Sequence, residues 1–146
     1  MDLIVLTREP RLLAIEAKLY ANGDLRAKRR PKVCGQLEEY HRFLSTQPRP
    51  LEAAYRNIIS VHEQLLGVFF KKRAGHPFWL LARRNPSTLS FDPVPRLLIF
   101  GFDELQKRGV KENADQIQSH LSIPGFGPAN VITVGGTSSI KEAHLT

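Results

Sequence analysis

Short apolar runs alternate with longer amphipathic repeats along this chain, and that alternation predicts an α/β order. Leu3 to Leu6 and Leu12 to Leu19 are apolar runs joined by the charged, proline-containing link Thr7-Arg8-Glu9-Pro10-Arg11. A link of that length predicts two antiparallel strands in a hairpin. From Val33 to Leu44, the side chains Val33, Leu37, Tyr40 and Leu44 recur at helical spacing and predict a helix. Pro48 to Pro50 reads as a break. Beyond it, Ala54, Ile58, Val61, Leu65 and Val68 mark a long amphipathic helix over Leu51 to Lys72, a repeat best explained by packing against a core. Its basic end, Lys71-Lys72-Arg73, suits the negative pole of the helix dipole.

Pro77, Pro86, Pro93 and Pro95 interrupt the pattern from Ala74 to Pro95. Mostly loop is expected there, with a short strand around Phe78 to Leu81. Arg96 to Phe102 predicts a buried strand, Glu104 to Leu121 a further helix, and Val131 to Val134 a last strand before Gly135-Gly136. No internal repeat is visible.

Strand faces decide which chemistry the first hairpin can carry. Side chains alternate along a strand, so Glu16 and Lys18 share one face while Leu13, Ile15, Ala17 and Leu19 take the other. A hairpin turning at Glu9 or Pro10 sets Asp2 opposite either Glu16 or Lys18. The two registers differ by two residues, so both leave Asp2 on the face of Glu16 and Lys18. Two carboxylates and an ammonium on rigid strands fit a hard divalent cation, Mg2+ with Mn2+ as a substitute, because such ions prefer oxygen ligands and keep several waters. Asp2 and Glu16 are the candidate metal ligands. Lys18 is the candidate for orienting or helping to deprotonate an attacking water and for stabilising charge on a phosphate. The same three residues would also make an ordinary cross-strand ion cluster on a surface, and the hairpin alone leaves both readings open.

Charge adds a partner class. Lys and Arg number 21 against 14 Asp and Glu, for a net charge of +7 and an isoelectric point near 9.9. Such a balance favours polyanions, either nucleic acid or an anionic membrane surface. Arg26, Lys28, Arg29, Arg30 and Lys32 crowd into one short stretch and are the candidate phosphate-backbone contacts. A hydrophobic share of 42% over 146 residues suits one domain with a real core. Cys34 is the one cysteine, which excludes an intramolecular disulfide framework and a thiolate-rich zinc site and suits a reducing cytosol. No signal-peptide pattern opens the chain, and its apolar runs fall far short of the ~20 residues of a membrane-spanning helix. A cytoplasmic protein with no membrane partner is expected. The histidines lack metal-ligand spacing such as His-Glu-X-X-His. Ile123 to Ala129 resembles the hairpin of a helix-hairpin-helix motif, but Val131 to Gly136 after it reads as strand.

An Asp opening one strand and Glu-X-Lys on the next resembles the PD-(D/E)XK nuclease superfamily, the restriction-endonuclease-like fold. The residues are Met1-Asp2-Leu3-Ile4-Val5 and Ile15-Glu16-Ala17-Lys18-Leu19. Gln36-Leu37-Glu38-Glu39-Tyr40 on the following helix is similar to the Gln-X-X-X-Tyr motif of the exonuclease-like branch, which includes helicase-associated nucleases. Residues four apart share a helix face, so Gln36 and Tyr40 point the same way. The resemblance covers the first third of the chain by motif and the remainder by the order of strands and helices. It implies an α/β, restriction-endonuclease-like core, with a mixed sheet, an antiparallel hairpin carrying the site, and flanking helices. It also implies Mg2+-dependent hydrolysis of DNA rather than RNA, with Asp2, Glu16 and Lys18 catalytic and Gln36 and Tyr40 engaging substrate. A homodimer or a larger nuclease complex would be compatible with it. The helix and strand that precede the Asp in that family have no counterpart here. Residues 1–146 are therefore expected to form a single nuclease-like domain without them. The alternative is a module that keeps the fold and basic surface without turnover, and binds nucleic acid or assembles with a partner.

Overall fold

A computed structural model of the chain describes residues 1–7, 9–27, 29–69 and 88–136, the side chains of Glu63 and of residues 66–69 excepted. In chain order the elements are β1 (Leu3–Leu6), β2 (Arg11–Leu19), a 3-10 turn (Gly23–Leu25), α1 (Lys32–Thr46), α2 (Pro48–Phe69), β3 (Ser90–Phe91), β4 (Arg96–Phe102), α3 (Lys107–His120), a second 3-10 turn (Pro128–Asn130) and β5 (Val131–Gly135). The class is α/β, with one mixed sheet and three helices among the described residues.

β2 is the organising strand. β1 lies antiparallel on one flank, β3 and β4 lie parallel on the other, and β5 extends the sheet parallel to β4. Leu3 pairs with Ile15 and Leu6 with Leu12. One further step along that register sets Asp2 level with Glu16, the first of the two expected alignments. Between β3 and β4, Pro93 and Pro95 have no N–H to give the ladder. Asp92 holds the kink instead: one carboxylate oxygen accepts from the Val94 N–H at 2.9 Å and the other from the Arg96 guanidinium at 2.9 Å.

The alternation of β2 divides its side chains between two apolar clusters. Leu12 and Ala14 pack with Leu44 of α1, Ile59 of α2, Leu89 and Phe91. Further along the sheet, Val33, Cys34 and Leu37 of α1 and Val110 and Ile117 of α3 bury Leu97 and Ile99. Ile15, Leu98, Ile132 and Val134 form a separate cluster of strand residues. Phe102 has the parity of Leu98 yet joins Leu97 and Ile99, because the ladder shifts at Gly101. Gly101 sits at φ 73°, where a side chain is strained, and a Cβ there would come within 2.8 Å of the Leu19 side chain.

Two expectations for α2 are corrected. The helix starts at Pro48 rather than breaking there, since the first-turn N–H groups have no partner within a helix and proline loses nothing at those positions. The repeat expected to pack against the core is also the exposed one. Ala54, Ile58, Val61 and Leu65 are exposed, the last three by 49%, 53% and 50%, while Leu51, Tyr55 and Ile59 turn to the sheet. Tyr55 meets Phe91 edge-on with ring centroids 5.4 Å apart, so the helix docks by its aromatic side. The expected strand at Phe78 to Leu81 and the basic end Lys71-Lys72-Arg73 lie outside the described residues.

α3 begins at Lys107, after Asp103 and Gln106 exchange side-chain-to-backbone hydrogen bonds at 2.9 and 3.2 Å. A strand follows Ile123 to Ala129, as the sequence pattern predicts. Among the described residues no helix is long and apolar enough to cross a membrane.

Candidate active site

The helix-facing side of β2 changes character halfway along the strand. Leu12 and Ala14 are ordinary core, and the next two side chains on that face are Glu16 and Lys18. Glu16 is 1% exposed. Burying a carboxylate is costly unless donors replace its water, and here they do. One oxygen meets the Lys18 ammonium at 2.7 Å, and the other accepts from the Tyr40 hydroxyl at 2.8 Å, with the Met1 amino group 3.5 Å away. The Met1 amino group also contacts the Tyr40 hydroxyl. Glu16 and Lys18 of the hairpin motif and Tyr40 of the helix motif, remote in sequence, converge on one carboxylate.

Tyr40 and Lys18 both bind their protons more tightly than usual. Burial is the main cause for Tyr40, aided by its hydrogen bond to Glu16 and by the charges of Glu16 and Asp2. Lys18 is pulled downward by burial, but the hydrogen bond and charge of Glu16, with Asp24 and Asp2, outweigh it and leave the ammonium above its ordinary value of 10.5. Near neutral pH Lys18 is therefore a cationic donor rather than a base.

Asp2 is spent differently. Its carboxylate accepts from the Ala17 N–H at 2.9 Å, and its own N–H donates to the Ile15 carbonyl at 3.2 Å, so it closes the hairpin just beyond β1. Its charge still reaches Lys18 and Tyr40. Gln36 stands one turn before Tyr40, and its amide oxygen is buried with no hydrogen-bond donor among the described residues. Sequence reasoning missed Asp24, which lies 3.8 Å from Lys18. Asn22 caps the turn that carries it, its side chain accepting from the Asp24 N–H at 2.8 Å. The legible signal was Asn22-Gly23-Asp24 shortly after the strand, but only the return of that turn brings the carboxylate back to Lys18.

The basic stretch is partly committed to the fold. The Arg26 guanidinium lies 4.5 Å from the centre of the Tyr20 ring and donates to the Tyr20 carbonyl at 2.9 Å. Arg30 pairs with Glu38 at 2.5 Å, and that contact together with the Ser122 N–H holds the Glu38 carboxyl below its usual range. Arg29 and Lys32 are exposed beside the start of α1, and Lys28 lies outside the described residues.

No family model, curated protein or solved structure matches this chain. The oxygen donors here, the Glu16 and Asp2 carboxylates, are hard ligands of the kind Mg2+ takes. No group of three or more His, Cys, Asp or Glu among the described residues could hold a metal by itself. Mg2+ is commonly held by one or two carboxylates with waters and substrate phosphates completing the shell, so the donor set fits such an ion. A cavity of about 710 Å³ between α3 and β5 contains none of these residues.

Proposed function

We propose that this chain is a metal-dependent nuclease that hydrolyses phosphodiester bonds of DNA, built on a restriction-endonuclease-like core. The reading is carried by one observation, the buried Glu16 carboxylate that gathers Lys18 from its own strand and Tyr40 from α1. A buried ionised constellation is a poor way to stabilise a fold, because well-packed apolar residues do as well or better. Such groups concentrate where chemistry needs them. The mixed sheet with an antiparallel hairpin leading into a helix and a parallel strand is compatible with that core.

In this reading Asp2 and Glu16 hold Mg2+ or Mn2+, and the ion when bound supplies a water of lowered pKa and offsets phosphate charge. Lys18, kept protonated, orients the attacking water and stabilises negative charge on the phosphorus oxygens. Tyr40 fixes the Glu16 carboxylate, and Gln36 engages substrate from the same helix face. Arg29 and Lys32 add electrostatic attraction for the DNA backbone.

A second reading rests on a specific observation too. Both Glu16 oxygens already have partners, and Asp2 is turned to the Ala17 N–H. A module that binds nucleic acid without cutting it would look the same. Cleavage of labelled single-stranded, duplex and circular DNA in Mg2+, Mn2+ or EDTA, by this chain and its Lys18→Ala variant, separates the two. Metal-dependent cleavage lost in Lys18→Ala is the expected result. Binding without cleavage by a folded sample overturns the nuclease reading in favour of the binding module.

A further inference from the structure

α2 carries one broad apolar face, and the sheet covers only one edge of it. The covered edge is Leu51, Tyr55 and Ile59. The uncovered part is Ala54, Ile58, Val61 and Leu65, exposed in the folded chain. Their spacing of four, three and four residues is that of a coiled-coil seam, narrower than the wide apolar face of a helix lying in a membrane surface. It also reads the same in both directions. An antiparallel partner related by a two-fold axis would set Ile58 against Val61 and the small Ala54 against the large Leu65, so that large and small side chains interdigitate.

The flanks of the seam point to the same occupant. Asn57, Ser60 and Gln64 are exposed and uncharged, and Arg56 pairs with Glu52. A helix that binds anionic lipid carries Lys and Arg along the margin of its apolar face. A protein interface instead depletes charge near its centre and leaves a polar rim. The stripe is self-complementary in spacing and in size, which a second copy of the chain satisfies and an unrelated partner does so only by chance.

We propose that Ala54, Ile58, Val61 and Leu65 form a self-association surface on which α2 of a second copy packs antiparallel. A helix of this length is about 33 Å long, so a single helix pair buries an area at the low end of stable interfaces. The dimer is accordingly expected to be weak and to form with rising concentration. This inference stands apart from the nuclease reading, since the seam contains no residue of the candidate site.

Sedimentation equilibrium over a concentration series tests it, using the whole chain and the variants Ile58→Glu and Val61→Lys. Both positions are half exposed in the monomer, so circular dichroism should show the same fold for all three. The wild-type chain should dimerise, and each variant alone should weaken the dimer at least tenfold. An equimolar mixture of the two variants should recover association, because antiparallel packing brings the new carboxylate against the new ammonium. A wild-type chain that stays monomeric at every concentration, or variants that dimerise as well as it does, would overturn the proposal. Failure of the mixture to recover would overturn the antiparallel pairing. Flotation with phosphatidylcholine–phosphatidylserine vesicles, if lost in Ile58→Glu while no dimer forms, would assign the stripe to a membrane instead.

Discussion

α1 and α2 carry the same kind of hydrophobic repeat and use it in opposite ways. In α1, Val33, Leu37 and Leu44 are buried against the sheet, and Tyr40 reaches the Glu16 carboxylate. In α2, the repeat of Ala54, Ile58, Val61 and Leu65 faces outward, and a second set of residues does the docking. Periodicity thus identifies a face without identifying what it faces. α1 shows the converse as well, since its inward face is where the polar chemistry lies.

The sharpest test of that contrast is a matched truncation. Leu37→Ala, in the fully buried face of α1, is expected to cost about 2–5 kcal/mol in urea unfolding, the range for a core leucine. Leu65→Ala, measured where the chain is monomeric, should stay within about 0.5 kcal/mol. Equal costs would mean that the outer stripe of α2 is covered in the isolated chain.

A smaller effect is expected at the polar part of the α1 face. Tyr40→Phe removes the donor to a buried carboxylate and should cost about 1.5 kcal/mol. It should also change the alkaline limb of the stability profile. Both Lys18 and Tyr40 hold their protons more tightly in the folded chain than their ordinary values of 10.5 and 10.0. Their contribution is complete below about pH 10 and is lost as pH rises through the folded values. Unfolding midpoints followed from pH 8 to 11.5 should therefore fall less steeply in Tyr40→Phe than in the wild-type chain. Parallel slopes would show that the Glu16 cluster is not coupled to α1.

The smallest effect belongs to the solvent side of α1. Glu38 has a folded value below its ordinary 4.5, chiefly from its hydrogen bond with Arg30. Its contribution is present above that value and is lost as pH falls through the lowered one. Glu38→Gln should flatten the acid limb slightly and leave stability at neutral pH nearly unchanged, because exposed pairs stabilise little. A large loss at neutral pH would mean that the pair anchors α1.

Much of the fold was legible because local chemistry sets it. The strands Leu3–Leu6, Arg96–Phe102 and Val131–Gly135 follow short apolar runs bounded by charged, Pro or Gly residues, too short for a helix, and α1 follows a single clean stripe. The hairpin register was narrowed to two choices, since one face of β2 could not be slipped by a single residue without burying the wrong set. The start of α2 is ambiguous in the sequence because a proline that stops a preceding helix is equally suited to open the next one.

Glu16, Lys18, Gln36 and Tyr40 were identifiable by type and spacing, but their meeting was not. Alternation alone put Glu16 and Lys18 on one face, and helical spacing alone aligned Gln36 with Tyr40. The chain by itself determined those faces, because they depend on backbone geometry within a few residues. Only the tertiary structure decided that α1 would lay its face over the end of β2, that the Asn22 turn would return Asp24 to Lys18, that Asp2 would serve the Ala17 N–H, and that α2 would dock by Tyr55 and Ile59. Those outcomes depend on which of several competing surfaces bury together, a choice made by long-range packing and by the requirement that a buried carboxylate find its donors.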